Sequence, residues 1–346
     1  MIQIRHRPLD LRLLHPFRLA RGVTDRRENL LVEVDDGQRI GLGEAAPLPR
    51  YGQDRGSTAG AVEAMAEALG SFDPRRFDGA AARAAVPGQG AAEAAVDMAL
   101  RDLAGKRLNA PLYDLLGLDP KAAPPTSFTL GMGTPEGMAE KARGAGDFEI
   151  LKVKMGADDD RGMLEAVRDV TDQTIRVDAN EGWTLEGAEE RLAWLASMGV
   201  EWVEQPLPAD DLAGARALRR RSPLPIFADE SVHRAQDIPR LADAFDGINV
   251  KLMKCGGVGE ALRMIATARA HGLQIMLGCM VETSLAVTAA AHLAPLVDFV
   301  DLDGPLLIAD DPFDGARLEG GRMVPPDRPG LGVVPAETTT GTTPQV

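Results

Sequence analysis

The chain has 346 residues, of which 45% are hydrophobic and 26% charged, proportions of a globular protein long enough for a barrel and a smaller companion domain. Its 52 acidic against 38 basic residues leave a net charge of −14, which argues against nucleic acid or an anionic membrane as a partner. The opening MIQIRHRPLDLRLL has no apolar core of a signal peptide, and no apolar run approaches the roughly 20 residues of a membrane span, so a cytoplasmic location is expected.

Residues 1–120 read as a small α+β domain. IQIRHRPLDL, ENLLVEVDDG and RIGLGEA are strand-like, with Asp36-Gly37 marking a hairpin. The stretch HPFRLARGVTDRRE between the first two reads as a polar, arginine-rich loop. AVEAMAEAL and AAEAAVDMALRDLAGKRL then carry apolar residues at helical spacing. Ala122-Ala123-Pro124-Pro125 reads as a linker.

Over residues 125–312 eight short apolar strands alternate with helical patterns: SFTLGMG, EILKVKMG, QTIRVDAN, VEWVEQP, PIFADES, INVKLMK, LQIMLGCM and DFVDLDGP. Thr134 and Thr184 stand at helix N-cap positions. Such alternation predicts parallel strands with crossover helices, and eight of them predict closure into a TIM-type (β/α) barrel. An open doubly wound sheet would want a glycine-rich phosphate loop after its first strand, and GMGTPEG matches one only superficially. Residues 313–334 read as a segment returning to the first domain, and 335–346, rich in Thr and Pro, as a disordered tail. Cys255 and Cys279 read as reduced packing thiols.

Chemistry recurs at the strand ends with a step of roughly 25 residues, about one strand-plus-helix unit. VKMG carries Lys154, VDAN Asp178, VEQP Glu204, ADES Asp229 and VKLMKCGG Lys251. A barrel brings such ends to one mouth. Three carboxylates there suit a hard cation, Mg2+ first and Mn2+ second. Lys154 and Lys251 bracket them as candidate bases on opposite sides of the ring, with Lys152 alternating with Lys154 on the same face. Asp301 and Asp303, in DFVDLDGP, are spaced to hold an ammonium on the substrate. A Schiff-base aldolase using either lysine, or a barrel kept for binding alone, are the rival readings of these residues.

KVK with VDAN, EQP, ADE and NVKLMKCGG resembles the enolase superfamily, muconate-lactonizing subgroup, from about Pro16 to Pro312. The resemblance implies a modified (β/α)7β barrel with an N-terminal α+β capping domain, Mg2+ on Asp178, Glu204 and Asp229, and a lysine base. Within the subgroup, DLDGP, GCM and ETS are similar to the dipeptide epimerases. That implies a small dipeptide substrate, its ammonium held by Asp301 and Asp303, with 1,1-proton transfer at the α-carbon of its second residue, as from L-Ala-L-Glu to L-Ala-D-Glu. FRLARG and RYGQD are similar to the two capping loops, which puts Arg21, Tyr51 and, from GCM, Met280 beside the substrate. Arg18, Arg21, Arg26 and Arg27 are the arginines available to choose a side chain. An N-acylamino acid racemase, an o-succinylbenzoate synthase or a muconate cycloisomerase is the alternative, and a homo-oligomer is left open.

Overall fold

A computed structural model describes residues 2–19, 22–69, 86–156 and 159–337. Three antiparallel strands open the chain, β1 (Gln3–Leu19), β2 (Gly22–Asp35) and β3 (Ile40–Ala45), in that order across the sheet. The β2–β3 turn forms where expected, with Gly37 in the left-handed region and Asp36 Oδ1 accepting from the amides of Gln38 and Arg39.

The described part of the arginine-rich stretch, residues 15–19 and 22–28, is not a loop. It extends β1 and β2 into a long hairpin, with an irregularity in register between Arg12 and Phe17. Cross-strand pairing supplies backbone partners over much of it whatever the side chains, and Arg18, Asp25, Arg26 and Glu28 are exposed while Arg27 is half-buried. The hairpin leans on the barrel at Leu13, which bridges Ile308, while the Ala309 amide donates to the Arg12 carbonyl. Arg21 lies outside the described residues.

Among the described residues, helices α1 (Arg55–Leu69) and α2 (Gly90–Leu108) follow. Helix α2 packs directly on the backbone of β3: a Cβ at Gly41 or Gly43 would lie 2.0 or 1.9 Å from the carbonyl oxygens of Ala99 and Ala95. Any side chain there would push the helix away.

Eight parallel strands then run in consecutive order: β4 (Phe128–Leu130), β5 (Ile150–Lys154), β6 (Thr174–Asp178), β7 (Val200–Glu204), β8 (Ile226–Ala228), β9 (Gly247–Lys251), β10 (Gln274–Gly278) and β11 (Phe299–Asp301). Thr126 bridges Val300, and the Ser127 amide donates to the Val300 carbonyl at 3.1 Å, which joins the last strand to the first. The crossovers include α3 (Pro135–Gly144), α4 (Asp160–Arg168), α5 (Leu185–Ser197), α6 (Leu212–Arg219) and α7 (Val258–Ala270), and α8 (Ser284–Ala291) follows β10. Thr134 and Thr184 cap α3 and α5 through the amides of Gly137 and Gly187.

An aromatic floor fills the N-terminal end of the barrel. Trp202, Phe227 and Phe299 stand with ring centroids 4.7–5.8 Å apart, and the Arg176 guanidinium lies 4.8 Å from the Phe299 centroid and 5.3 Å from that of Trp202. Each of these four residues precedes a carboxylate by two positions, at Glu204, Asp229, Asp301 and Asp178, so the acids form the next layer up.

The last described residues pair as β12 (Phe313–Asp314) with β15 (Val334–Pro335) and β13 (Arg317–Glu319) with β14 (Arg322–Val324). Gly330 exchanges backbone hydrogen bonds with Ala110 and Leu112, and the Leu331 amide donates to Asp102 of α2. Pro335, expected in the tail, is paired with Phe313, because the strand partner supplies order that its composition does not. Residues 338–346 lie outside the described residues. No helix among the described residues is long and apolar enough to cross a membrane.

Candidate active site

The strand ends meet at the mouth of the barrel. Asp178 and Glu204 close β6 and β7, and Asp229 follows β8 by one residue. All three are buried, and one carboxylate oxygen from each lies within 4.8 Å of the others. Burial, reinforced by Asp178, pushes the Glu204 carboxyl up to about 7. Burial acts the same way on Asp178, but Lys154 and Lys152 outweigh it and hold that group at about 2. A crowded all-oxygen set in which one member is driven toward its neutral form fits a hard divalent cation, whose charge would let all three ionise.

Four lysines surround the acids. Lys152, 1% exposed, places its ammonium 2.6 Å from both Glu204 and Asp301 and 3.5 Å from Asp178. Lys154 donates to Asp178 at 2.6 Å and Lys251 to Asp229 at 2.9 Å. Strands β5 and β9 are four apart in a ring of eight, so these two ammonium groups face each other across the cavity. Burial works against the charge on Lys251, yet Asp229 and Glu204 raise it well above the ordinary lysine value.

The sequence reading missed Lys254. It sits on the helical turn Leu252–Cys255, buried, and donates to the Asp229 carboxylate, the Asp229 carbonyl and, at 3.1 Å, the Asn249 carbonyl. Asn249 in turn donates to Glu204 at 2.6 Å, and Gln205 accepts from the Asp229 amide at 2.9 Å. The second lysine of KLMK, three residues after Lys251, was the available signal.

Asp301 and Asp303 both reach the cavity but are held differently. Asp301 ends β11 and accepts from Ser127 Oγ and Lys152, each at 2.6 Å. Asp303 lies beyond the strand, where one oxygen accepts from the Thr129 amide at 2.6 Å. Burial, then Asp301 beside it, raises its carboxyl to about 6. A cation brought by the substrate would relieve that.

A cavity of about 410 Å³ opens above these groups, lined also by Thr24, Arg27, Tyr51, Met280, Val281 and Leu307. Tyr51 meets His233 edge-on at 4.9 Å, and its neighbour Arg50 pairs with Glu181 on the barrel rim at 2.7 Å. Of the hairpin arginines, Arg18 and Arg26 are exposed, whereas Arg27 turns into the cavity. Its Nε is buried without a hydrogen-bond partner among the described residues, and burial lowers its pKa.

A parallel barrel under an α+β cap, with carboxylates and lysines at the C-terminal strand ends, is the architecture of the enolase superfamily, and the chain belongs to it. Residues 2–117 match the family described as mandelate racemase / muconate lactonizing enzyme, N-terminal domain, and residues 137–339 that described as enolase C-terminal domain-like. Among individual proteins, the chain is 42% identical to an L-Ala-D/L-Glu epimerase of Bacteroides thetaiotaomicron, over 94% of this chain and 86% of the relative. Its structure is similar, at a TM-score of 0.92 and 28% identity, to a dipeptide epimerase from Cytophaga hutchinsonii complexed with Mg and D-Ala-L-Val, covering 97% and 96% of the two chains. It is equally similar, at 0.92 and 29% identity, to an N-succinyl Arg/Lys racemase from Bacillus cereus, covering 96% and 95%.

Proposed function

We propose that the protein is a dipeptide epimerase that inverts the α-carbon of the second residue, with an acidic side chain preferred there. The observation that carries the reading is the opposed pair Lys154 and Lys251 across one cavity. One lysine takes the α-proton and the other returns a proton to the opposite face, so the product differs only in configuration. Asp178, Glu204 and Asp229 would hold Mg2+, which supplies positive charge beside the substrate carboxylate as the α-carbon becomes electron-rich. Lys152 adds to that charge from within the same ring of acids. Asp229 and Glu204 keep Lys251 protonated, and their engagement by a bound cation would offset that and favour the service of Lys251 as a base.

The dipeptide class rests on Asp303. A buried carboxyl raised to about 6 beside a second carboxylate suits a free ammonium, which an N-acylated amino acid lacks. The acidic side chain rests on Arg27, a largely buried guanidinium in the cavity wall. The test is α-carbon exchange in D2O with Mg2+, offering L-Ala-L-Glu, L-Ala-L-Gln and N-succinyl-glutamate. Exchange and inversion of L-Ala-L-Glu ahead of the other two is expected. Turnover confined to the N-succinyl substrate would defeat the proposal.

A further inference from the structure

Asn29 and Glu44 belong to the N-terminal sheet, yet both are buried against a barrel loop, at 1% and 0% exposure. Glu44 accepts from Asn29 Nδ2 at 2.7 Å, from the Thr283 amide at 3.1 Å and from Thr283 Oγ1. Asn29 Nδ2 also reaches the Val281 carbonyl at 3.3 Å. Val281 and Thr283 follow β10, in the loop whose Met280 and Val281 line the cavity.

The geometry of β2 links this network to Arg27. Arg27, Asn29 and Leu31 alternate along the strand and share one face. Leu31 is the cross-strand partner of Glu44, which puts Glu44 on that face too. The other face carries Gly41 and Gly43 beneath α2. A slip of one residue would turn Arg27 out to solvent and leave Asn29 and Glu44 buried without partners. Hydrogen bonds from Asn29 to the barrel therefore oppose the slip where Arg27 enters the cavity.

We propose that Asn29, Glu44 and Thr283 form an interdomain tie that positions Arg27, and so sets the preference for an acidic side chain. The inference rests on the reading of Arg27 given above. It makes the three residues positioning residues for specificity, acting at the boundary of two domains rather than on the substrate.

The test compares kcat/KM for L-Ala-L-Glu and L-Ala-L-Gln in four variants. Arg27→Met should lower the ratio by at least about tenfold, the loss of one charge pair in the cavity wall. Asn29→Ala and Thr283→Val should lower it to a similar extent while turnover of L-Ala-L-Gln stays within about threefold, and Thr283→Ser, which keeps the hydroxyl, should hold the wild-type ratio. If Asn29→Ala does not fold, the Thr283→Val and Thr283→Ser pair decides. An equal loss on both substrates, or an unchanged ratio in Thr283→Val beside a collapsed one in Arg27→Met, overturns the tie alone. An unchanged ratio in Arg27→Met overturns the reading of Arg27 and the tie with it.

Discussion

Lys254 donates to both the carboxylate and the backbone carbonyl of Asp229, so the acid that faces Lys251 is gripped from behind by a second buried ammonium. Asp178 is shared in the same way between Lys154 at 2.6 Å and Lys152 at 3.5 Å. Each candidate base thus leans on a carboxylate that another lysine fixes. Removing one partner of a buried pair strands the other, at a cost of about 3–5 kcal/mol. Lys254→Met should therefore lower the stability measured by urea unfolding by that order, whereas Lys141→Met, at a half-buried lysine on α3, should lower it less.

The opposed lysines should separate under deuterium. Lys154→Ala and Lys251→Ala should each lower epimerisation by at least about 10²-fold. Each should still exchange the α-proton of one epimer, a different one for each variant, as read by NMR in D2O. Exchange of both epimers by either single variant would contradict a two-base scheme.

Removing the metal should stop the reaction without touching the lysines. Dialysis against EDTA is expected to abolish epimerisation and Mg2+ to restore it. Epimerisation that survived EDTA would contradict a metal-assisted reaction.

Asp303→Asn is a sharper probe of ammonium recognition than Asp301→Asn, because Asp301 is already engaged by Lys152 and Ser127. Asp303→Asn should raise KM for L-Ala-L-Glu by about tenfold or more, the loss of a charge-assisted contact. Any residual turnover of N-succinyl-glutamate should be unchanged or improved. Steady-state kinetics on the two substrates checks it.

Stability should fall as pH rises from mildly acid to about 8. Burial, then the neighbouring Glu44, raises the Glu282 carboxyl to about 8 from an ordinary 4.5. The folded chain holds a proton there that the unfolded chain gives up. The resulting stabilisation is full below about 4.5 and is lost as pH rises through about 8. Glu44, raised to about 7, acts in the same direction, while His292, lowered to about 4, acts oppositely but at more acid pH. The urea midpoint should therefore drop between pH 6.5, where His292 ceases to oppose, and about 8, and Glu282→Gln should flatten much of that drop.

The barrel was legible because its chemistry and its strands share one period: acids and lysines end apolar runs at a regular step, and a closed ring places them together. The hairpin arms were not, since HPFRLARGVTDRRE has the composition of a loop and becomes strand only through its partner. That same error hid Arg27. Four nearby arginines are indistinguishable until β2 is drawn and its faces alternate. Lys254 escaped for another reason, as it leaves the strand on a helical turn and returns to Asp229 by a contact that strand periodicity does not predict. Glu44 and Asn29 looked like ordinary strand residues, because the surface that buries them belongs to a loop some 240 residues further on.

Among the described residues, the aromatic floor beneath the carboxylates closes the N-terminal end of the barrel and leaves a well open at its mouth. Substrate and product must use the same opening, past Tyr51 and the rim pair Arg50–Glu181. Traffic in either direction then meets the same barrier, so loosening that rim should hasten departure of both epimers alike and leave their equilibrium ratio untouched.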